Sequence, residues 1–267
     1  MSCLKNKLFN DRENFIIAGP CAAESLELCI EISQTLDQIC KQNGFTYIFK
    51  ASYDKANRTS INSYRGPGIK VGREIFKKVK EKIEFVCTDI HLPHHPEFLG
   101  DCVDIIQIPA FLCRQTDLVT AAAKTGKIIN VKKAQFLSSE KMKFVIEKIK
   151  HFGNDNILLT ERGSSMGPDN LVVDFRNITK MREFGYPVVM DCTHACQQIN
   201  SGNTTGGNRE FAPSFAKSSF IFGATGIFAE VHPDPDKGLS DASNMINYDA
   251  FEKMVADLSK MRKSCLI

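Results

Sequence analysis

Short apolar runs alternate with segments of helical periodicity from one end of the chain to the other. Several of these runs are continuously apolar, which is typical of parallel strands that are buried on both faces. The predicted strands are 15–18, 47–49, 85–87, 103–108, 128–131, 157–159, 188–190 and 227–229. The predicted helices are 26–42, 70–82, 96–100, 116–124, 140–151, 178–184, 213–222 and 248–261. The chain is therefore a series of strand–helix units.

Eight such units in 267 residues favour an α/β fold of the (β/α)8 barrel type, formed as one domain over residues 1–267. An open, doubly wound sheet is the alternative. That fold often binds dinucleotides, but Gly19-Pro20-Cys21 has a proline where the glycine-rich turn would stand. No Walker phosphate loop is present in the sequence either. The barrel is therefore the predicted fold.

Nearly every unusual polar cluster comes directly after a predicted strand. In a (β/α)8 barrel the carboxyl ends of the strands form one rim, and ligands bind there. We therefore expect the functional site at this rim, with the polar, glycine-rich segment 201–207 as an active-site loop. The clusters in chain order are Cys21, 50–60, 88–91, 109–111, 132–135, 160–163, 191–194 and 230–234.

Five cationic side chains stand in three of these clusters. They would repel one another at one rim unless anions were bound, which predicts a site for phosphate or carboxylate groups. Two alternatives remain: a solvated basic loop at 50–60, and simple pairing of Asp54 and Glu161 with neighbouring residues. The five cations are Lys50, Lys55, Arg58, Lys132 and Arg162.

A candidate metal site is dispersed along the chain. Cys21, His194, Glu230 and Asp241 offer a thiolate, an imidazole and two carboxylates, a set that suits Zn²⁺, Fe²⁺ or Mn²⁺. The alternative is a packed thiol and a structural histidine. Two compact groups compete with this set, although neither has the spacing of a strong zinc motif. They are Cys192, His194 and Cys196, which share one face of an extended backbone, and His91, His94 and His95.

Composition narrows the class of protein further. The net charge of +3 is too small to imply a nucleic-acid partner. The ten cysteines follow no disulfide framework, which favours free thiols in a reducing compartment. No stretch is long and apolar enough to span a bilayer, and the N-terminus lacks the apolar core of a signal peptide. We therefore expect a cytoplasmic protein with no membrane partner.

In order along almost the whole chain, these clusters resemble the Kdo-8-phosphate synthase family, whose product is 3-deoxy-D-manno-octulosonate 8-phosphate. The Lys-Ala-Asn-Arg of 55–58 is the specific part, because the related aromatic-pathway synthases are expected to show Lys-Pro-Arg there. The segments that carry the resemblance are Gly19-Pro20-Cys21, 50–60, Arg65-Gly66-Pro67-Gly68, 107–118, 130–133, 160–163, 170–174, Asp191 with Thr193-His194, and 232–236.

The resemblance implies a homotetrameric (β/α)8 barrel enzyme. This transferase would condense phosphoenolpyruvate with D-arabinose 5-phosphate and release phosphate, in the biosynthesis of the Kdo of lipopolysaccharide. Its metal-dependent members carry cysteine after Gly-Pro where the others carry asparagine, so Cys21 implies the metal-dependent class. The remaining ligands implied by the family are His194, Glu230 and Asp241, for a divalent Mn, Fe, Zn or Co ion.

The resemblance also assigns residues to the two substrates. Phosphoenolpyruvate would contact Lys55, Lys132 and Arg162, with Lys50 and Gln135 beside them. The sugar phosphate would contact Asn57 and Arg58, and the loop that carries Ser60 can reach a neighbouring subunit's site. Ala110 and His194 complete the substrate contacts, and the implied catalytic residues are Lys50, Lys55, His194 and Asp241.

Two alternative functions remain at this stage. One is a related phosphoenolpyruvate-condensing synthase that uses erythrose 4-phosphate or a mannosamine sugar. The segment from Lys55 to Arg58 argues against it. The other is a phosphosugar-binding barrel without turnover. Such a protein would not need both the cation set and the metal-ligand set, so the enzyme is favoured.

Overall fold

Eight parallel strands close into a barrel in the computed structural model, which describes residues 2–10, 13–166, 170–198 and 206–264. The first strand pairs with both the second and the eighth, so the sheet has no free edge. The predicted (β/α)8 barrel is confirmed, and the open doubly wound sheet is wrong. The strands are β1 (Phe15–Gly19), β2 (Thr46–Lys50), β3 (Val86–Asp89), β4 (Ile105–Ile108), β5 (Ile128–Lys132), β6 (Ile157–Glu161), β7 (Val188–Asp191) and β8 (Gly226–Glu230).

A helix follows each strand at the place that the periodicity predicts. Helix α2 begins after Ser25, whose hydroxyl accepts the backbone N–H of Leu28 at 3.1 Å and caps the first turn. An additional helix, α1, precedes the barrel and was not predicted. The helices are α1 (Ser2–Leu8), α2 (Leu26–Gln42), α3 (Ile69–Lys80), α4 (His95–Leu99), α5 (Thr116–Lys124), α6 (Met142–Lys150), α7 (Arg176–Arg182), α8 (Ala212–Ile221) and α9 (Tyr248–Ser264).

Apolar side chains fill the lower half of the barrel. Successive residues of a strand point to opposite faces, so every second residue points inward. Helix α1 packs Leu4 and Leu8 against this group and closes the amino-terminal end of the barrel. The barrel-filling residues from the strands and their starts are Phe15, Ile17, Ile48, Phe85, Cys87, Ile105, Ile128, Leu158, Val189 and Phe228.

A polar layer lies directly above this apolar filling. Each of its members comes two residues after a barrel-filling side chain, so the same alternation that buries the apolar residues points these inward too. Strand β1 contributes only Gly19, because a Cβ there would lie 2.1 Å from the backbone oxygen of Lys50. The layer consists of Lys50, Asp89, Gln107, Asn130, Thr160, Asp191 and Glu230, all buried.

Short segments between strands and helices shape the rim. Residues Ser164–Met166 pair antiparallel with Asn170–Val172 after β6, and Gln197–Gln198 pair with Gly206–Gly207 after β7. Of the predicted active-site loop 201–207, residues 201–205 lie outside the described residues. Among the described residues, no helix is both long enough and apolar enough to cross a membrane.

Candidate active site

Four of the five predicted cations are already paired with carboxylates at the rim. The expectation that all five would repel one another until an anion binds is therefore wrong, because the strand ends supply negative charge as well. The local alternative is also met in part, since Asp54 pairs with Arg65 and Glu161 pairs with Lys133. The four pairs are Lys50 with Asp89 at 3.4 Å, Lys55 with Glu230 at 3.7 Å, Arg58 with Asp241 at 3.2 Å, and Lys132 with Asp191.

Ser52 links the first two of these cations. Its hydroxyl donates to Asp89 at 2.5 Å and lies 2.8 Å from the Nζ of Lys50 and 3.1 Å from that of Lys55. Burial acts to raise the pKa of Asp89, but Lys50 and His91 hold it well below its usual value. The carboxylate therefore stays ionised and keeps both lysine ammonium groups in fixed positions.

Arg162 is the predicted cation without a carboxylate partner among the described residues. One guanidinium nitrogen, NH2, donates to Gln197 at 2.5 Å. The other, NH1, is buried and has no hydrogen-bond partner in the described part of the chain, and the same is true of the amide oxygen of Gln135. A buried guanidinium N–H without a partner is costly, so this position is suited to an incoming anion.

Lys132 and His194 converge on Asp191. The Lys132 ammonium contacts this carboxylate and lies 3.7 Å from the centre of the Phe228 ring. The Nδ1 of His194 lies 2.8 Å from Oδ2 of Asp191, and its backbone N–H donates to Oδ1 at 2.9 Å. Burial acts to raise the pKa of Asp191, but His194 and Lys132 hold it below its usual value. Asp191 therefore orients both the lysine and the imidazole.

Three of the four predicted metal ligands form one group. The donor atoms of Cys21, Glu230 and Asp241 all lie within 4.8 Å of one another, with the Cys21 Sγ 3.2 Å from Oδ2 of Asp241. The fourth, His194, lies beside the group, with Nε2 3.6 Å from Oε1 of Glu230. Its Nδ1 faces Asp191, and a carboxylate against the second ring nitrogen is the usual arrangement that orients a metal-binding histidine.

The chemistry of this donor set fits a divalent cation. Burial, and then the carboxylates of Asp241 and Glu230, raise the pKa of the Cys21 thiol well above its usual value. Both carboxylate oxygens of Glu230 are buried without a hydrogen-bond partner among the described residues. A cation would satisfy these oxygens and favour the thiolate. Cys21, Glu230 and Asp241 can therefore hold a metal. The sequence predicted these three residues as ligands, together with His194.

The alternative metal site at Cys192, His194 and Cys196 is wrong. The prediction assumed an extended backbone, but residues His194–Cys196 form a 3-10 turn, so the three side chains do not share a face. The Cys192 thiol donates to the backbone oxygen of Phe228 at 3.2 Å, and the Cys196 thiol donates to that of Cys192 at 3.1 Å. Both cysteines lie in the hydrophobic shell outside the barrel, whereas His194 faces the site.

The histidine group after β3 has a structural role instead. The Nδ1 of His95 accepts the hydroxyl of Tyr53 at 2.6 Å and the backbone N–H of Leu92 at 3.3 Å, so its lone pair is occupied. The Nε2 of His91 lies 3.1 Å from Asp89. Within the described residues these histidines form no group of potential metal ligands. Of the three, His91 is the one that contacts Asp89, from behind the polar layer.

The residues predicted for the sugar phosphate are more exposed than the polar layer. Asn57 is exposed in the segment after β2, and the partly exposed Ser60 accepts the backbone N–H of Asn62 at 3.2 Å. Ala110 begins a 3-10 turn after β4 and is partly exposed. Among the described residues of this set, Arg58 alone forms an ion pair with the inner group, through Asp241 at 3.2 Å.

Sequence reasoning gave no role to Asp89, Asp191 and Ser52. Asp89 and Asp191 stand in the predicted polar clusters, and both come two residues after an inward apolar residue of the same strand. That spacing was the available signal. Ser52 had no comparable signal, because its contacts depend on the conformation of the segment after β2.

Nearly the whole chain matches the model of a protein family. The model of the DAHP synthetase I family matches residues 6–266, so the chain belongs to this family. Relatives named 2-dehydro-3-deoxyphosphooctonate aldolase are similar over most of their length. One from Trichlorobacter lovleyi is 50% identical, with 90% of this chain and 89% of the relative covered. One from a Cyanothece species is 47% identical, with 92% and 91% covered.

The buried His95 should make the stability of the protein depend on pH. Burial, followed by His94 and His91, lowers the pKa of His95 from 6.5 to about 4. Unfolded chains bind this proton below pH 6.5, whereas the folded protein does not until about pH 4, so stability is lost as the pH falls through this window. We expect His95→Gln to lose less unfolding free energy than the wild type between about pH 7 and about pH 5 in urea titrations.

The exposed His151 provides the control. The variant His151→Gln should keep the pH dependence of the wild type. An equal loss of stability in His95→Gln and the wild type would contradict this account of His95.

Proposed function

We propose that this protein condenses phosphoenolpyruvate with D-arabinose 5-phosphate to give 3-deoxy-D-manno-octulosonate 8-phosphate and phosphate. The 2-dehydro-3-deoxyphosphooctonate in the names of its relatives is the same phosphorylated 2-keto sugar acid. The observation that carries the proposal is the buried Arg162 guanidinium, with NH1 unpartnered among the described residues, at the same rim as Lys132 and the ligand group. An enzyme for two phosphorylated anions needs such fixed cations.

Phosphoenolpyruvate is assigned to the deeper part of the site. Lys55, Lys132 and Arg162 would bind its phosphate and carboxylate, with Lys50 and Gln135 beside them. The burial of these three cations supports the assignment, because a low-dielectric site strengthens their interaction with an anion. On binding, the substrate anions would compete with Asp191 and Glu230 for the lysines.

The sugar phosphate is assigned to the outer part of the site. Asn57 and Arg58 would bind it, with Ser60 and Ala110 nearby on the rim. Their greater exposure supports this order of depth. A five-carbon sugar bound above phosphoenolpyruvate would place its own phosphate nearer to the solvent. Asn57 is the residue that favours arabinose 5-phosphate over the substrates of related synthases.

The reaction forms a carbon–carbon bond between C3 of phosphoenolpyruvate and the aldehyde carbon of the sugar. Water then adds at C2, and phosphate leaves with cleavage of its bond to carbon. The cations hold two mutually repelling anions at reacting distance, which lowers the entropic and electrostatic parts of the barrier. Lys50, Lys55, His194 and Asp241 are the proposed catalytic residues, placed to stabilise developing charge and to hold protons near the aldehyde oxygen and the water.

We also propose that the enzyme belongs to the metal-dependent class. Cys21, His194, Glu230 and Asp241 would hold a divalent Mn, Fe, Zn or Co ion. The Glu230 oxygens, which have no hydrogen-bond partner among the described residues, support this. When bound, such an ion supplies Lewis-acid polarisation of an oxygen ligand. Asp191 would keep the His194 ring in the orientation for binding, and Arg58 would hold Asp241 at its edge.

A homotetramer in the cytoplasm is the proposed assembly and location, as part of Kdo and lipopolysaccharide biosynthesis. Exposed aromatic side chains near the rim support self-association, since Phe111 and Phe136 are 55% and 61% exposed in the single chain. Analytical ultracentrifugation measures the assembly directly, and a monomer at micromolar concentration would contradict this part of the proposal.

The choice of aldose tests the reaction itself. Phosphate release from phosphoenolpyruvate is measured with arabinose 5-phosphate, erythrose 4-phosphate and N-acetylmannosamine in turn. We expect turnover with arabinose 5-phosphate alone, because the Asn57 segment matches that substrate. Preferred turnover of another aldose would indicate a related synthase, and binding without turnover of any would indicate a phosphosugar-binding barrel.

Replacement of Arg58 tests the division between the two substrates. We expect Arg58→Ala to raise the KM for arabinose 5-phosphate about tenfold to a hundredfold, the range expected for a lost charge-assisted hydrogen bond, with a much smaller effect on phosphoenolpyruvate. The control is Arg65→Ala on the same segment, which breaks only the exposed pair with Asp54. Equal losses for both substrates would overturn the assignment of Arg58 to the sugar phosphate.

Replacement of Cys21 tests the metal class. The wild type should lose activity with a chelator and regain it with Mn²⁺ or Zn²⁺. We expect metal-free Cys21→Asn to bind far less metal per chain, measured by mass spectrometry of the element, and to lose strict dependence on added metal. The exposed Cys3→Asn is the control and should bind metal as the wild type does. Full metal dependence in Cys21→Asn would remove Cys21 from the ligand set.

A further inference from the structure

Two pairs of adjacent charged residues stand at the ends of β5 and β6. Lys132 points into the barrel mouth toward Asp191, whereas the next residue, Lys133, points outward and lies 3.3 Å from Glu161. Glu161 is likewise outward, between the inward Thr160 and the site residue Arg162. Alternation along the strands therefore places one ion pair behind the proposed phosphoenolpyruvate site, next in sequence to two of its cations.

Lys133 binds parts of two different loops. Its Nζ lies 3.3 Å from the backbone oxygen of Leu137 and 3.4 Å from that of Ala134, which enclose Gln135 in the segment after β5. The same atom donates to Ser164 at 3.1 Å in the segment after β6. The side chain is 0% exposed, so these contacts replace water around its charge. Lys133 thereby joins the two loops that carry Gln135 and Arg162.

Glu161 fixes the backbone on either side of Arg162. Its Oε1 accepts the backbone N–H of Arg162 at 2.9 Å and that of Gly163 at 2.7 Å. Gly163 has a φ of 93°, a left-handed conformation that suits glycine and allows the chain to turn sharply there. The carboxylate therefore holds the start of the turn from which the Arg162 side chain projects.

From these contacts we infer that Lys133 and Glu161 are positioning residues for phosphoenolpyruvate. Neither side chain faces the barrel mouth, and both act by holding Arg162, Gln135 and the end of β5 at the spacing that the substrate needs. The inference rests on the proposed function, because it assigns this edge of the rim to phosphoenolpyruvate. A buried ion pair that served stability alone is the competing explanation, and such pairs are often replaceable by neutral residues.

A positioning role and a purely stabilising role predict different results when both charges are removed. Stability should recover in either case, but affinity for phosphoenolpyruvate should recover only if the pair is purely stabilising. Lys133→Met and Glu161→Gln each leave one buried charge without its partner and should lower stability. The double variant Lys133→Met/Glu161→Gln removes both charges, so its unfolding midpoint in urea should return toward that of the wild type. If the pair positions the site, affinity for phosphoenolpyruvate should stay weak in the double variant, because nothing then joins the two loops.

Titration calorimetry with phosphoenolpyruvate and steady-state kinetics measure the effect. We expect each single variant and the double variant to bind phosphoenolpyruvate about tenfold more weakly, a typical cost of losing a supporting residue, with the KM for arabinose 5-phosphate unchanged. Recovery of phosphoenolpyruvate affinity together with stability in the double variant would show a structural pair only and would overturn the inference.

A partly exposed ion pair at the opposite end of the barrel provides the control. Lys80 lies 2.6 Å from Asp104, and Asp104 also accepts a backbone N–H, that of Val86 at 2.9 Å. Lys80→Met and Asp104→Asn should lower stability without changing either substrate's binding. An equal loss of phosphoenolpyruvate affinity in these variants would attribute the effect to stability and contradict the positioning role.

Calorimetry also separates this inference from the proposed reaction, because binding needs no turnover. A wild type that binds phosphoenolpyruvate but releases no phosphate with any aldose would remove the reaction and leave the positioning role standing if the variants bind more weakly. A wild type that does not bind phosphoenolpyruvate would remove both.

Discussion

Pairing of buried charges within the barrel mouth is the constraint on which the site depends. A lysine or carboxylate at this depth costs several kcal/mol unless it has a partner, and partners come from separate strands. Lys50 pairs with Asp89 from the neighbouring strand, whereas Lys132 on β5 pairs with Asp191 on β7. These pairs hold the cations in place before any ligand arrives, so the site is organised by the same electrostatics that allow it to fold.

The pairing also determines what a ligand must do. Phosphate and carboxylate groups bring negative charge to lysines that already have carboxylate partners, so binding has to share or exchange those partners. When a substrate anion takes a lysine from its carboxylate partner, the negative charge of that carboxylate is left uncompensated. A divalent cation at Cys21, Glu230 and Asp241 would compensate such charge. The proposed anionic substrates and the proposed metal would therefore be complementary in this mouth, because each would reduce the charge imbalance that the other creates.

The sequence predicts the fold well because strand–helix alternation has few closed solutions, and it locates the rim because polar residues follow the strands. It was less successful with pairing. Asp89 and Asp191 stood in the expected clusters, yet their partners lie on other strands, and the residues that meet across a barrel depend on its closure. The Cys192 group was misjudged because a 3-10 turn, and not an extended strand, follows β7. Helix α1 is short and lacks a clear periodic signal.

The closed lower end of the barrel determines how ligands reach and leave the site. Leu4 and Leu8 close the amino-terminal end of the barrel, so ligands enter and leave through its carboxyl-terminal mouth. Lys132 and Arg162 are buried at the inner end of that passage, and Asn57 is exposed at its outer end. A molecule seated outside blocks the way in and out for the one beneath it. Under the proposed assignment of the two substrates, this depth would require phosphoenolpyruvate to enter before the sugar phosphate.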